Sequence, residues 1–192
     1  MLFRSALNSG PLSGSVVELG ASGGGITQAA AAVLQAGTLR GTAGATGSVA
    51  LAGTANSIAS LASFAVASGD FALKDAASLS IVGPVGAKNI AISAPTIVSS
   101  GSVVATTSAT LSAGAGGIAL NSGAVLSGVT VDLSATGNGV AQATDATLVA
   151  STLLSGSGIG GTVNLVGTAN TVAILGTVAV RSEEHTSELQ SH

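Results

Sequence analysis

Few residues in this chain could carry chemistry. Only 7% of the 192 residues are charged, and none is Cys, Trp or Tyr. Between residues 1 and 180 the ionisable side chains are Arg4, Glu18, Arg40, Asp70, Lys74, Asp75, Lys88, Asp132 and Asp145; both histidines, His185 and His192, lie beyond them. Gly20-Ala-Ser-Gly-Gly24 has the spacing of a nucleophile elbow. An elbow, however, needs a strand-to-helix turn and a histidine base, and residues 1–180 contain no histidine. Gly156-Ser-Gly-Ile-Gly-Gly161 matches the dinucleotide-binding glycine spacing but lacks the flanking βαβ unit and the acidic residue that would make it one. Both read as turns.

Asp70, Lys74 and Asp75 form the one local charged cluster. On an alternating strand, 70 and 74 share a face and 75 points the other way, so a solvated surface pair is expected there. Calcium-binding Gly-Gly-x-Gly-x-Asp runs are missing. A threonine registry that could order water is confined to 106–110. Without cysteine there is no disulfide, thiol or cysteine-ligated metal. The sequence therefore predicts no catalytic, cofactor-binding or metal-binding residue, and no enzyme activity.

The elements around these residues are unusual in composition. Hydrophobic residues make up 46% but aromatics only 2%, so the apolar mass is Ala, Val, Leu and Ile, which suit thin, layered strand cores. Mean hydropathy is +0.68, yet Gly, Ser, Thr or Asn interrupts every run before the ~20 apolar residues of a spanning helix. The aromatic girdles of a membrane barrel are also missing. No membrane span is predicted in this segment. A net charge of −3 with no basic stripe gives no reason to expect nucleic acid. Residues 1–10 contain one arginine but no signal-peptide core; the chain reads as the interior of a longer exported protein.

At Arg181 the character changes. Residues 181–192 carry three of the eight acidic residues and both histidines, and the string resembles a translated sequencing adapter along its whole length. It is read as a non-native, disordered tail and set aside from the fold.

An internal repeat organises the rest. Val17-Glu-Leu-Gly-Ala-Ser-Gly-Gly-Gly25 recurs as Val131-Asp-Leu-Ser-Ala-Thr-Gly-Asn-Gly139, an offset of 131 − 17 = 114. The same offset pairs Gln28 with Gln142 and Gly53-Thr-Ala-Asn56 with Gly167-Thr-Ala-Asn170, giving gapless copies at 17–66 and 131–180 with about half their positions identical. Short period-two runs fall at 15–19, 48–51, 78–82, 89–93, 109–112, 117–121, 129–133, 162–165 and 171–174, the signal of half-buried strands. Residues 28–36 have alanine-rich helical propensity, but the copy at 142–150 replaces two alanines by Thr and Asp, so both read as turn plus strand.

Such strands cannot bury a face alone. Coiling stacks each on its equivalent one rung away, at ~4.8 Å spacing. The expected fold is all-β, a right-handed parallel β-helix with rungs of about twenty residues. Residues 1–14 are expected to be an irregular or incomplete first rung, 15–180 the solenoid, and about nine rungs a rod of about 40–45 Å. Asn56 and Asn170 are candidates either for amide ladders along the stack or for left-handed turn positions.

Gly-Gly-Gly-Ile-Thr-Gln at 23–28, and Gly69-Asp-Phe-Ala-Leu-Lys-Asp-Ala76 leading to Leu79-Ser-Ile-Val-Gly-Pro-Val85, carry a resemblance. They are similar to the repeats of filamentous-haemagglutinin-like exoproteins and autotransporter adhesins of Gram-negative bacteria. The resemblance implies a stalk or passenger segment of a large adhesin, secreted or at the cell surface. Its partners would be host-cell, surface or matrix ligands engaged through the full-length protein. The alternatives are the non-catalytic part of an autotransporter passenger enzyme, or a surface-layer or matrix protein. End-to-end self-association is expected of the isolated segment, because open strand edges template pairing.

Overall fold

The computed structural model describes residues 2–3, 6–8 and 10–181; the tail reading for 182–192 lies outside these residues. The described chain is all-β. Its strands are Leu2–Phe3, Ala6–Leu7, Pro11–Gly20, Ile26–Gln28, Val33–Ala45, Val49–Leu51, Ser57–Val66, Asp70–Lys74, Leu79–Ile81, Val85–Ser99, Ser102–Leu120, Val125–Ala135, Val140–Gln142, Thr147–Leu154, Ile159–Gly160, Val163–Leu165, Thr171–Leu175 and Val180–Arg181. All the strand pairings are parallel. None of the described residues forms a helix long and apolar enough to cross a membrane.

Following one column of register partners traces the coil: Ala6, Thr27, Ala50, Ala72, Ala91, Thr110, Asp132 and Leu154. The solenoid has about eight turns rather than nine, and its rungs, roughly 22 residues apart, are of the expected size of about twenty. At ~4.8 Å per turn the rod is about 38 Å long. All nine alternating runs overlap strands, and 28–36 is turn plus strand, with Ile26–Gln28 and Val33–Ala45 flanking a turn. Pro11–Gly20 brings residues 11–14 into a regular strand paired with Val33–Ala45. Arg181 pairs with Gly160.

Each turn has three sides, and each side contributes an inward ladder of like residues. One runs Leu51, Leu73, Ile92, Leu111, Leu133. The next runs Leu39, Leu61, Ile81, Ser99, Leu120, Gln142. The third runs Gly41, Phe64, Val85, Val103, Leu126, Leu148. The large side chains of these ladders are buried in one continuous core. Period-two alternation sends intervening Ala, Ser and Thr outward, so the rod is sheathed in small neutral residues.

The 114-residue duplication is out of phase with the turns. Five turns carry Thr27 to Asp132, 132 − 27 = 105 residues on, whereas its sequence equivalent is Ala141, nine residues further. Nine residues is about one side of a turn. The second copy is thus wound five turns up and one side around from the first.

Candidate functional site

Neither glycine motif has the surroundings its chemistry needs. Gly20 ends a strand, residues 22–24 form a turn, and the next element is the strand Ile26–Gln28. Residues 156–158 turn into the short strand Ile159–Gly160, again with no helix following. Thr106 and Thr107 are exposed at a corner, where the register between neighbouring strands slips. No group of three His, Cys, Asp or Glu that could hold a metal occurs among the described residues.

The charged residues are mostly tied across turns. Arg40 Nη2 reaches Glu18 Oε2 at 3.2 Å, between register partners. Asn89 Nδ2 donates to Asp70 Oδ1 at 2.7 Å, again between partners, and Ser122 Oγ donates to Asp145. Gly156 N–H donates to Asp132 Oδ1 at 2.8 Å. These are exposed contacts and contribute little individually.

Asp70 and Lys74 are exposed, as a solvated surface pair should be, and Asp75 points the opposite way, as strand alternation requires. It is buried, accepting from the Ile58 N–H at 3.2 Å and the Ala77 N–H at 3.2 Å. Burial raises its pKa above the usual aspartate value, and the backbone donors offset part of that. A carboxylate spent on two backbone N–H groups is a corner clamp, not a free acid.

The most elaborate polar site contains Asn56 and Asn170, candidates from the sequence, with Gln partners that the sequence reading does not name. Gln28 and the fully buried Asn56 form an amide pair across adjacent turns. Gln28 Nε2 donates to Ala32 O at 3.0 Å and Asn56 Oδ1 at 2.7 Å. Asn56 Nδ2 donates to Gln28 Oε1 at 3.0 Å and Lys74 O at 2.9 Å. The Gly53 and Leu34 N–H groups donate to Gln28 Oε1 and Asn56 Oδ1. At a corner the backbone leaves the ladder, and its polar groups need partners. Two primary amides, each with two donors and an acceptor oxygen, supply them. Every donor of the pair is used.

The second copy repeats this clip. Gln142 Nε2 donates to Ala146 O at 3.0 Å and Asn170 Oδ1 at 2.7 Å; Leu148 and Gly167 N–H donate as Leu34 and Gly53 do. Gln142 stands between Leu120 and Leu165 in register, whereas Gln28 ends the strand of another side. The clip therefore works at two different corners. Asn56 and Asn170 are not left-handed turn residues, since no described non-glycine residue has positive φ. Their side-chain amides do bond along the stack, each to a Gln rather than to another Asn. The signal in the sequence was joint retention of Gln and Asn, 28 residues apart, in both copies.

On the outer face, a shallow apolar depression of about 200 Å³ runs over Ala72, Ala91, Thr110 and Ser112 beside Lys74. It has no convergent polar groups to orient a ligand. No protein-family model matches the chain, and no curated protein or solved structure is detectably similar to it.

Proposed function

We propose that the chain is a structural stalk segment of a large secreted or cell-surface bacterial adhesin, filamentous-haemagglutinin-like or autotransporter in type, without catalytic activity of its own. The observation that carries this reading is the unbroken parallel stack of about eight turns, its core a set of aliphatic ladders and its exterior small and neutral. A parallel coil whose every turn hydrogen-bonds the next transmits position along its axis, which is what a stalk must do. The amide clips and the Asp75 clamp hold corners, their polar groups engaged with one another and with the backbone. Ligand contact belongs, on this reading, to other parts of the full-length protein.

Antibodies raised against the chain test the location. They should label intact producing cells, and external protease should remove the label; labelling only after permeabilisation contradicts it. Beads coated with the chain should adhere to host-cell monolayers no better than beads carrying an inert protein. Strong adhesion would move the binding surface into this segment, and hydrolysis of a surface polysaccharide would favour the passenger-enzyme alternative.

A further inference from the structure

We propose that Asn138 is a site of spontaneous covalent modification, its side-chain amide closing on the backbone nitrogen of Gly139 to give aspartate and isoaspartate at one corner of the rod. Of the seven asparagines, only Asn138 is followed by glycine. A β-carbon on the following residue crowds the approach of that residue's nitrogen to the asparagine side chain, and glycine has none. Residues 136–138 form a bend between the strands Val125–Ala135 and Val140–Gln142, and Asn138 is exposed on it. Among the described residues no hydrogen bond holds its side chain. The attacking N–H of Gly139 bonds within the bend, to the Gly137 carbonyl, rather than to a neighbouring turn.

The other asparagines lack this combination. Asn56 and Asn170 are tied into the amide clips, and Asn89 donates to Asp70. Asn121 precedes Ser122, and Asn164 precedes Leu165 within a strand. The first copy lacks the dipeptide altogether, because the offset of 114 places Gly24 and Gly25 where the second copy has Asn138 and Gly139.

Water is the only co-reactant. The Gly139 nitrogen loses its proton and bonds to Asn138 Cγ, the Cγ–Nδ2 bond breaks and ammonia leaves, closing a cyclic imide. Water then opens the ring. Attack at Cγ gives aspartate, and attack at the main-chain carbonyl gives isoaspartate, whose backbone runs through the side chain. The corner has little slack for that longer path. β-carbons built on Gly117 and Gly161, on the turns to either side, would lie 3.2 Å from Asn138 Cβ and 3.2 Å from its carbonyl carbon. The neighbouring Gly139 carbonyl accepts the Ile118 N–H at 3.0 Å, and the Val140 N–H donates to Thr162 O at 2.8 Å. The modification therefore adds a negative charge to a neutral surface and loosens the corner beneath it.

Peptide mapping of the full chain, aged at mildly alkaline pH both folded and in urea, tests this. Cleavage before aspartate releases residues 132–144, in which Asn138 is the only asparagine. From the folded chain, the isoaspartate form of this peptide should stay whole and gain the mass of NH2 replaced by OH, with fragmentation placing the gain at 138. The aspartate form should be cut again before 138. Both products should accumulate ahead of any change at Asn56, Asn89, Asn121, Asn164 or Asn170. Asn138→Gln, whose amide would have to close a larger ring, should lose both products. Asn138→Gly, which restores the residue of the first copy, should keep its urea midpoint on ageing, whereas that of the wild type falls. An Asn138 that stays intact in the folded chain while it converts in urea, aspartate without isoaspartate, earlier conversion at Asn121, or an aged wild type with an unchanged midpoint would each overturn the proposal.

Discussion

Asn56 and Asn170 offer a matched comparison, because Asn56 is fully buried whereas Asn170 is half-buried. Asn56→Ala strands Gln28, the Leu34 N–H and the Lys74 carbonyl in a buried corner, and should cost about 2–4 kcal/mol. Asn170→Ala leaves equivalent groups that water can reach, and should cost about 1 kcal/mol. Urea midpoints of the two variants check this; equal losses would contradict the clip as a buried device. Asp75 gives a pH prediction. Its native pKa lies above the unfolded value near 3.8, so the folded state binds more protons between the two values and stability falls as pH rises through that window. Asp75→Asn removes the titration while its Oδ1 still accepts the backbone N–H groups. Measured against that variant, the wild type should be relatively most stable at low pH. It should lose ground as pH rises from about 3.8 to the raised native value and level off above. A difference that grows with pH would contradict the buried clamp.

Among the elements, corners discriminate more than strands. A β-carbon on Gly53 would lie 2.5 Å from Ala32 O and 2.7 Å from Asn56 Oδ1, inside the clip. One on Gly41 would lie 2.8 Å from the ring of Phe64, its register partner, and that ring packs on Phe71 with centroids 5.0 Å apart. Gly53→Ala and Gly41→Ala should each cost about 1–3 kcal/mol through overpacking. Gly86, on a strand with nothing within 4 Å of its added carbon, should accept Ala with a change of about 0.5 kcal/mol or less. Thermal or urea unfolding of the three variants separates them. This contrast also marks what was legible in the sequence. Strands announced themselves through alternation, and the alanine run at 28–36 was resolved by its poorer copy. The Asn of each clip was a candidate from the sequence, but its Gln partner was not, because the two amides are joined by the coil rather than by sequence neighbourhood. Alternation separates Asp75 from the exposed pair Asp70 and Lys74, but it does not say which backbone N–H groups the inward carboxylate meets at the corner.

For the whole molecule, the duplication was visible as text but its winding was not. The three sides use interchangeable Ala, Val, Ile and Leu and have similar lengths, so a 114-residue copy fits equally well one side around. Only the register shows that five turns consume 105 residues. That register is the central claim, and the absence of native cysteine makes it directly measurable. Spin labels on cysteines replacing Thr27 and one of Thr110, Asp132 or Leu154 span four, five and six turns of one column. Pulsed electron–electron distances should be narrow and step by ~4.8 Å per turn, at about 19, 24 and 29 Å. Broad distributions, or distances that do not rise in even steps, would contradict the solenoid.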